Sequence, residues 1–146
     1  MDDILAELTR LFDGERDAVA NAANCAAPLR GRMADVNWAG FYFARDGELV
    51  LGPFAGLPAV TRIAFGHGVC GTAAAERRTV RVADVHAFPG HIACDVASAS
   101  EIVVPLLRDG VFLGVLDLDS PRRDRFGVAE QAGLDAVAAL WVTSCE

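Results

Sequence analysis

Val36-Asn37-Trp38-Ala39-Gly40-Phe41-Tyr42-Phe43-Ala44-Arg45-Asp46-Gly47-Glu48-Leu49-Val50-Leu51 is where the chain changes its period. Trp38, Gly40 and Tyr42 alternate with Ala39, Phe41 and Phe43, so the two sets point to opposite faces of a strand. Asp46-Gly47 is a tight hairpin turn, and Glu48 to Phe54 supplies the return strand. The same grammar recurs further on. Glu101 to Arg108 reads as a strand, Asp109-Gly110 turns it, and Val111 to Asp119 returns antiparallel.

Upstream of Val36 the period is helical. Ile4, Leu5, Leu8, Leu11 and Phe12 recur at helical spacing until Gly14, and an alanine-rich helix follows from about Glu15 to Leu29. Between the hairpins, Gly66-His67-Gly68-Val69-Cys70-Gly71 reads as a glycine-rich turn opening a short helix over Thr72 to Arg78, with a short strand at Thr79 to Val82. Asp84 to Ala99 has no clear period and contains Pro89 and Gly90; a loop of that length in a compact domain is often functional. A last helix starts near Val128, with Leu134, Val137, Ala138, Leu140 and Trp141 on its apolar side. The order predicts one α+β domain over residues 1–146. Residues 1–34 are N-terminal helices, 36–126 a central antiparallel sheet with its loops, and 128–145 a C-terminal helix, the terminal helices packing on one sheet face.

The 146 residues suffice for one core, and 53% of them are apolar, which argues for a globular fold. The net charge of −7 disfavours nucleic acid and anionic membranes as partners. Met1-Asp2-Asp3 is acidic with no apolar block behind it, and no apolar run approaches the ~20 residues of a membrane span; the expectation is a cytoplasmic protein without a secretory signal. All 13 basic residues are arginine, which reads as coding bias.

In a reducing compartment the four cysteines do not imply a disulfide framework, so their surroundings decide. Cys25 sits among alanines and reads as inert; Cys145 is one residue from the C-terminus and reads as incidental. Cys70 opens a helix, where backbone amides and the helix dipole favour a thiolate. Cys94 lies in the long loop; His91 offers it a positive charge or a proton, while Asp95 opposes a thiolate. Buried, inert thiols remain the alternative for both.

Asp117 and Asp119 share one strand face while Leu116 and Leu118 face the core, and Glu101 can join the two acids across the ladder. In a partly closed site such carboxylates share a proton; in an open one they are a solvated strand face. Trp38 and Tyr42, four residues apart on one face, are either core packing or an aromatic wall for a small ligand. His67-x-x-Cys70 and His91-x-x-Cys94 repeat a spacing that four-coordinate zinc can use, although paired cysteines are the stronger signature.

Taken together, these stretches resemble the free methionine-(R)-sulfoxide reductases, which are built on a GAF-type domain. The resemblance is carried by Asn37-Trp38-Ala39-Gly40-Phe41-Tyr42, Leu51-Gly52-Pro53-Phe54, Gly66 to Ala73, Asp84-Val85-His86, Gly90 to Asp95, Ser100 to Pro105 and Gly114 to Pro121. It implies reduction of the free amino acid methionine-(R)-sulfoxide rather than the protein-bound form. It implies Cys94 as catalytic cysteine, Cys70 as a cysteine able to pair with it, and Trp38, Tyr42, Glu101, Asp117 and Asp119 as the substrate pocket. It further implies a homodimer, with the N-terminal helices as contacts.

The expected scheme needs no bound cofactor or metal. Cys94 attacks the sulfoxide sulfur while the acids protonate its oxygen, Cys70 resolves the sulfenic acid, and thioredoxin regenerates both thiols. Where the family commonly carries a third, resolving cysteine, this chain has Val60, so three routes stay open: Cys70 resolves alone, an external thiol does, or Cys70 and Cys94 exchange roles. A non-catalytic GAF ligand or redox sensor and a zinc-stabilised binding domain are the rival readings.

Overall fold

The computed structural model describes residues 1–91 and 96–146; Cys94, with Ile92, Ala93 and Asp95, lies outside the described residues. Four helices and six strands follow in the order α1 (Asp2–Phe12), α2 (Ala18–Arg32), β1 (Trp38–Arg45), β2 (Glu48–Ala55), β3 (Arg62–Ala64), α3 (Gly68–Glu76), β4 (Val80–Val82), β5 (Ser100–Arg108), β6 (Val111–Ser120) and α4 (Val128–Ser144). The strands form one antiparallel sheet in the order β3-β2-β1-β6-β5-β4. The α+β fold is the expected one. No helix among the described residues is long and apolar enough to cross a membrane.

Both Asp-Gly pairs form the turns their chemistry suggests. Asp46 and Gly47 take φ of 52° and 82°, and Asp109 and Gly110 take 50° and 80°. Two successive left-handed residues match the twist of the strands they join.

The sheet has two differently clothed faces. On one, Ala39, Phe41, Ile102, Leu116 and Leu118 pack against Leu8, Leu29, Leu134 and Trp141 of α1, α2 and α4. The terminal helices therefore share one face, as the pattern predicts. α2 runs to Arg32, past the expected end and through Pro28; the Asp17 carboxylate caps its start by accepting the Ala20 N–H at 2.8 Å. On the other face, Tyr42, Leu49, Val103 and Val115 meet Val69, Cys70 and Ala73 of α3.

α3 starts at Gly68, four residues before the expected Thr72, so the glycine-rich turn is the first turn of the helix itself. The Gly66 N–H donates to the Gly71 carbonyl at 2.7 Å. A Cβ on Gly71 would stand 2.5 Å from the Ala64 carbonyl oxygen. Only glycine lets the helix lie this close to β3, a three-residue strand without a sequence signal of its own.

The expected long loop is tied at both ends. The Val85 N–H donates to the Ala99 carbonyl at 2.9 Å and the Ala99 N–H to the Ser120 carbonyl at 2.7 Å. Val85–Ala87 form one 3₁₀ turn, capped by the Asp84 carboxylate, which accepts the His86 N–H. Phe88-Pro89-Gly90-His91 then closes a second turn: Gly90 has φ 74° and the His91 N–H donates to the Phe88 carbonyl at 3.3 Å. Pro followed by a left-handed Gly is the type II arrangement, and it delivers His91 to the sheet.

Candidate active site

The strand register assembles the acids. Glu101 on β5 stands opposite Asp119 on β6, and Asp119 stands opposite Trp38 on β1. In the next row Val103, Asp117 and Gly40 are partners. Because side chains alternate, Glu101, Asp117 and Asp119 all face α3 while Leu116 and Leu118 face the other core. Gly40 leaves the row beside Asp117 without a side chain. A Cβ there would collide with the Phe54 Cβ and come within 2.7 Å of the Trp38 ring.

The three acids line one small, largely enclosed cavity. Tyr42, Ile63, His67, Cys70, His91 and Ser98 complete the ring around Glu101, Asp117 and Asp119. The carboxylates are buried, so the solvated-face alternative is overturned: Glu101, Asp117 and Asp119 are 6%, 4% and 6% exposed. Cys70 Sγ lies 3.9 Å from Glu101 Oε2, and Asp117 Oδ1 is buried without a hydrogen-bond partner among the described residues.

The electrostatics follow from three acids and a thiol in one dry place. Burial, then the charge of Asp119, pushes Glu101 up to about 8, so it keeps its proton at neutral pH. Burial and then Glu101 raise Asp117 well above the carboxylate range. Burial, followed by Asp117, Glu101 and Asp119, raises the Cys70 thiol as well. This corrects the expectation of a Cys70 thiolate: the partial charge of a helix N-terminus is outweighed by dehydration and three acids. Burial alone pushes Cys25 to about 12, in keeping with an inert thiol.

The aromatic pair divides its work. Tyr42 lines the cavity, and its hydroxyl donates to the Val60 carbonyl at 2.7 Å. Trp38 packs between Tyr42 and Phe54, with ring centroids 6.2 and 5.3 Å away, and its Nε1 donates to the Leu57 carbonyl at 3.0 Å. Both rings therefore hold the 57–60 segment, where the chain carries Val60.

For the zinc alternative, His67 would have to stand with Cys70. His67 is exposed at the start of α3. The cysteine, histidine and acid side chains whose ligand atoms converge within 4.8 Å, among the described residues, are Cys70, Glu101 and Asp117.

One partner escaped the sequence reading and another was given a different neighbour. Ser98 lines the cavity and accepts the Asn37 Nδ2–H at 3.2 Å. His91, read as a neighbour of Cys94, has its Nε2 3.6 Å from Glu101 Oε1. The Pro89-Gly90 pair, a type II turn signal, is the feature that points to its placement. Cys94 itself is three residues from His91 and four from Ser98 in the sequence, and both of those line the cavity.

Comparison with known proteins gives a consistent family. The GAF domain model matches residues 1–142. The free methionine-R-sulfoxide reductase of Escherichia coli is 48% identical over 137 residues, covering 94% of this chain and 83% of that protein. The reduced form of fRMsr from Staphylococcus aureus superposes with a TM-score of 0.95 at 44% identity, covering 98% of this chain and 93% of that one. Free methionine-R-sulfoxide reductase from Neisseria meningitidis, solved in complex with its substrate, gives 0.93 at 44% identity, covering 97% and 86%.

Proposed function

This chain belongs to the GAF domain family, among its free methionine-(R)-sulfoxide reductases, and from that premise we propose that it reduces free L-methionine-(R)-sulfoxide to methionine through Cys94. The observation that carries the reading is the buried cluster of Glu101, Asp117, Asp119 and Cys70, where burial pushes Glu101 up to about 8.

A sulfoxide sulfur becomes electrophilic when its oxygen receives a proton, and a carboxylic acid with a pKa near neutrality is matched to that task. Glu101 gives its proton to the oxygen as the Cys94 thiolate attacks the sulfur. A bond forms between Cys94 Sγ and the substrate sulfur; the hydroxyl then shifts to Cys94 Sγ as the substrate's S–O bond and the new S–S bond break, so that methionine leaves and Cys94 is a sulfenic acid. Glu101, now a carboxylate 3.9 Å from Cys70, takes the Cys70 proton and passes it to the departing hydroxide. The Cys70–Cys94 disulfide and water result. The raised pKa of Cys70 argues against it as the first nucleophile, and the Glu101 carboxylate left by the first step supplies the base it needs in the second.

The acids also select the substrate. One ionised carboxylate pairs with the free ammonium group, which a methionine within a peptide lacks, and Tyr42 bounds the thioether end. Thioredoxin is the external reductant in this reading, the protein works as a homodimer in the cytoplasm, and no bound cofactor takes part.

The test is NADPH consumption coupled through thioredoxin reductase and thioredoxin, with each sulfoxide diastereomer supplied free. Turnover is expected with the R form and is lost in Cys94→Ser. Cys70→Ser accumulates a sulfenic acid visible by mass. Turnover of the S form, or full activity in Cys94→Ser, overturns the assignment.

A further inference from the structure

The proton count of the proposed reaction leaves one transfer without an agent. Two protons reach the oxygen to make water, one from Glu101 and one from Cys70. The third mobile proton, from the Cys94 thiol, goes to solvent when the thiolate forms. Glu101 therefore ends each cycle one proton short, while an equal proton stands outside. Glu101 has a side chain only 8% exposed, under α3 and flanked by Asp117 and Asp119, so bulk water does not reach it freely.

We infer that His91 returns this proton, taking it from solvent and handing it to Glu101, so that it resets the acid for the next substrate. His91 Nε2 is 3.6 Å from Glu101 Oε1, and its side chain is 15% exposed against 8% for the acid, so it is the more open to water of the two. The type II turn at Pro89-Gly90 fixes its backbone through the His91 N–H to Phe88 carbonyl bond. Burial lowers its pKa, which keeps the ring neutral at rest and able to accept a proton.

The titratable groups that share the cavity with it are Glu101 from β5, Asp117 and Asp119 from β6, Tyr42 from β1, Cys70 from α3 and His67 just before α3. None of these replaces it: Asp117 and Asp119 are buried beside Glu101, and His67 makes no ion pair with the acids among the described residues. In this reading His91 acts on the reaction through Glu101 and is a positioning residue for its proton. The inference rests on the function proposed above.

The experiment compares wild type, His91→Asn and His91→Ala in steady-state turnover of free methionine-(R)-sulfoxide, with and without added imidazole. In both variants kcat is expected to fall by about 10²-fold while KM changes little, and imidazole restores much of the loss in His91→Ala. The kcat of the variants also falls more steeply than that of wild type as pH rises, because direct reprotonation of Glu101 then limits the cycle. An unchanged kcat overturns the inference, as does a loss that imidazole does not repair and that leaves the pH profile in its wild-type shape.

If wild type itself does not turn over, the functional reading fails first. The pairing is then judged by nitrogen NMR of the His91 ring. A His91 titration that shifts in Glu101→Gln supports the proton exchange, and one that ignores that substitution overturns it.

Discussion

The two faces of the sheet are built from the same strands and buried to the same degree, yet they hold opposite chemistry. Along β6, Leu116 and Leu118 meet the terminal helices while Asp117 and Asp119 meet α3. Every one of these side chains is nearly inaccessible to water. Burial stabilises the leucines outright, whereas it stabilises the acids only in their protonated form. The two buried thiols repeat the contrast. Cys25 sits in the apolar core and is raised by burial alone; Cys70 is raised by burial and by three acids. What separates a structural face from a reactive one here is the set of groups each residue is buried with.

The strongest probe of that contrast is Glu101→Gln. On the reactive face it removes the acid, and kcat is expected to drop by about 10²- to 10⁴-fold. Its pH signature has a definite sign. Glu101 holds its proton up to about pH 8 in the folded chain but releases it near its ordinary value of 4.5 when unfolded. Between those limits the folded state binds more protons. Stability is therefore full below the lower value and falls as pH rises to the upper one, by at most ~1.4 kcal/mol per unit. Urea midpoints of wild type decline from about pH 5 to about pH 8, and those of Glu101→Gln decline less. A variant that keeps its kcat and its slope removes the distinction between the faces.

Leu118→Ala reports on the other face. It opens a cavity among packed side chains and is expected to lower stability by roughly 2–5 kcal/mol in urea unfolding, with kcat of the folded protein unchanged. A selective loss of kcat at full stability would mean that the apolar core shapes the reaction. The smallest effect belongs to Tyr42→Phe, which gives up the hydrogen bond to the Val60 carbonyl at a cost of about 1 kcal/mol. Thermal unfolding measures the loss, and a raised KM shows whether the ring's anchoring reaches the substrate.

Much of the fold is legible in the chain because its signals are local. The alternation from Trp38 to Phe43 and the two Asp-Gly pairs state their strands and turns directly. β3 is not legible, since three residues carry no period. The start of α3 is misplaced because Gly68 and Gly71 are poor helix formers, Gly68 taking a φ of 64° and Gly71 lying against the Ala64 carbonyl of β3. At the site, alternation places Asp117 and Asp119 on one face but says nothing about what covers it. The cover is α3, and with it came the reversal at Cys70, where tertiary dehydration overrode a local dipole. The family pattern supplied Cys94, which lies outside the described residues.

Glu101 and Asp119 are mounted opposite each other on hydrogen-bonded strands, with Asp117 one row away. Carboxyl groups on flexible stalks would answer a gain of charge by swinging apart, but a ladder holds its rungs at a set spacing. The strands beneath the three acids will therefore look alike before, during and after a catalytic cycle, and the record of the acids' share of that cycle will be kept in hydrogen positions. Neutron diffraction, or the infrared carbonyl stretch of protonated carboxyl groups, reads that record where a comparison of heavy-atom coordinates would find two identical sheets.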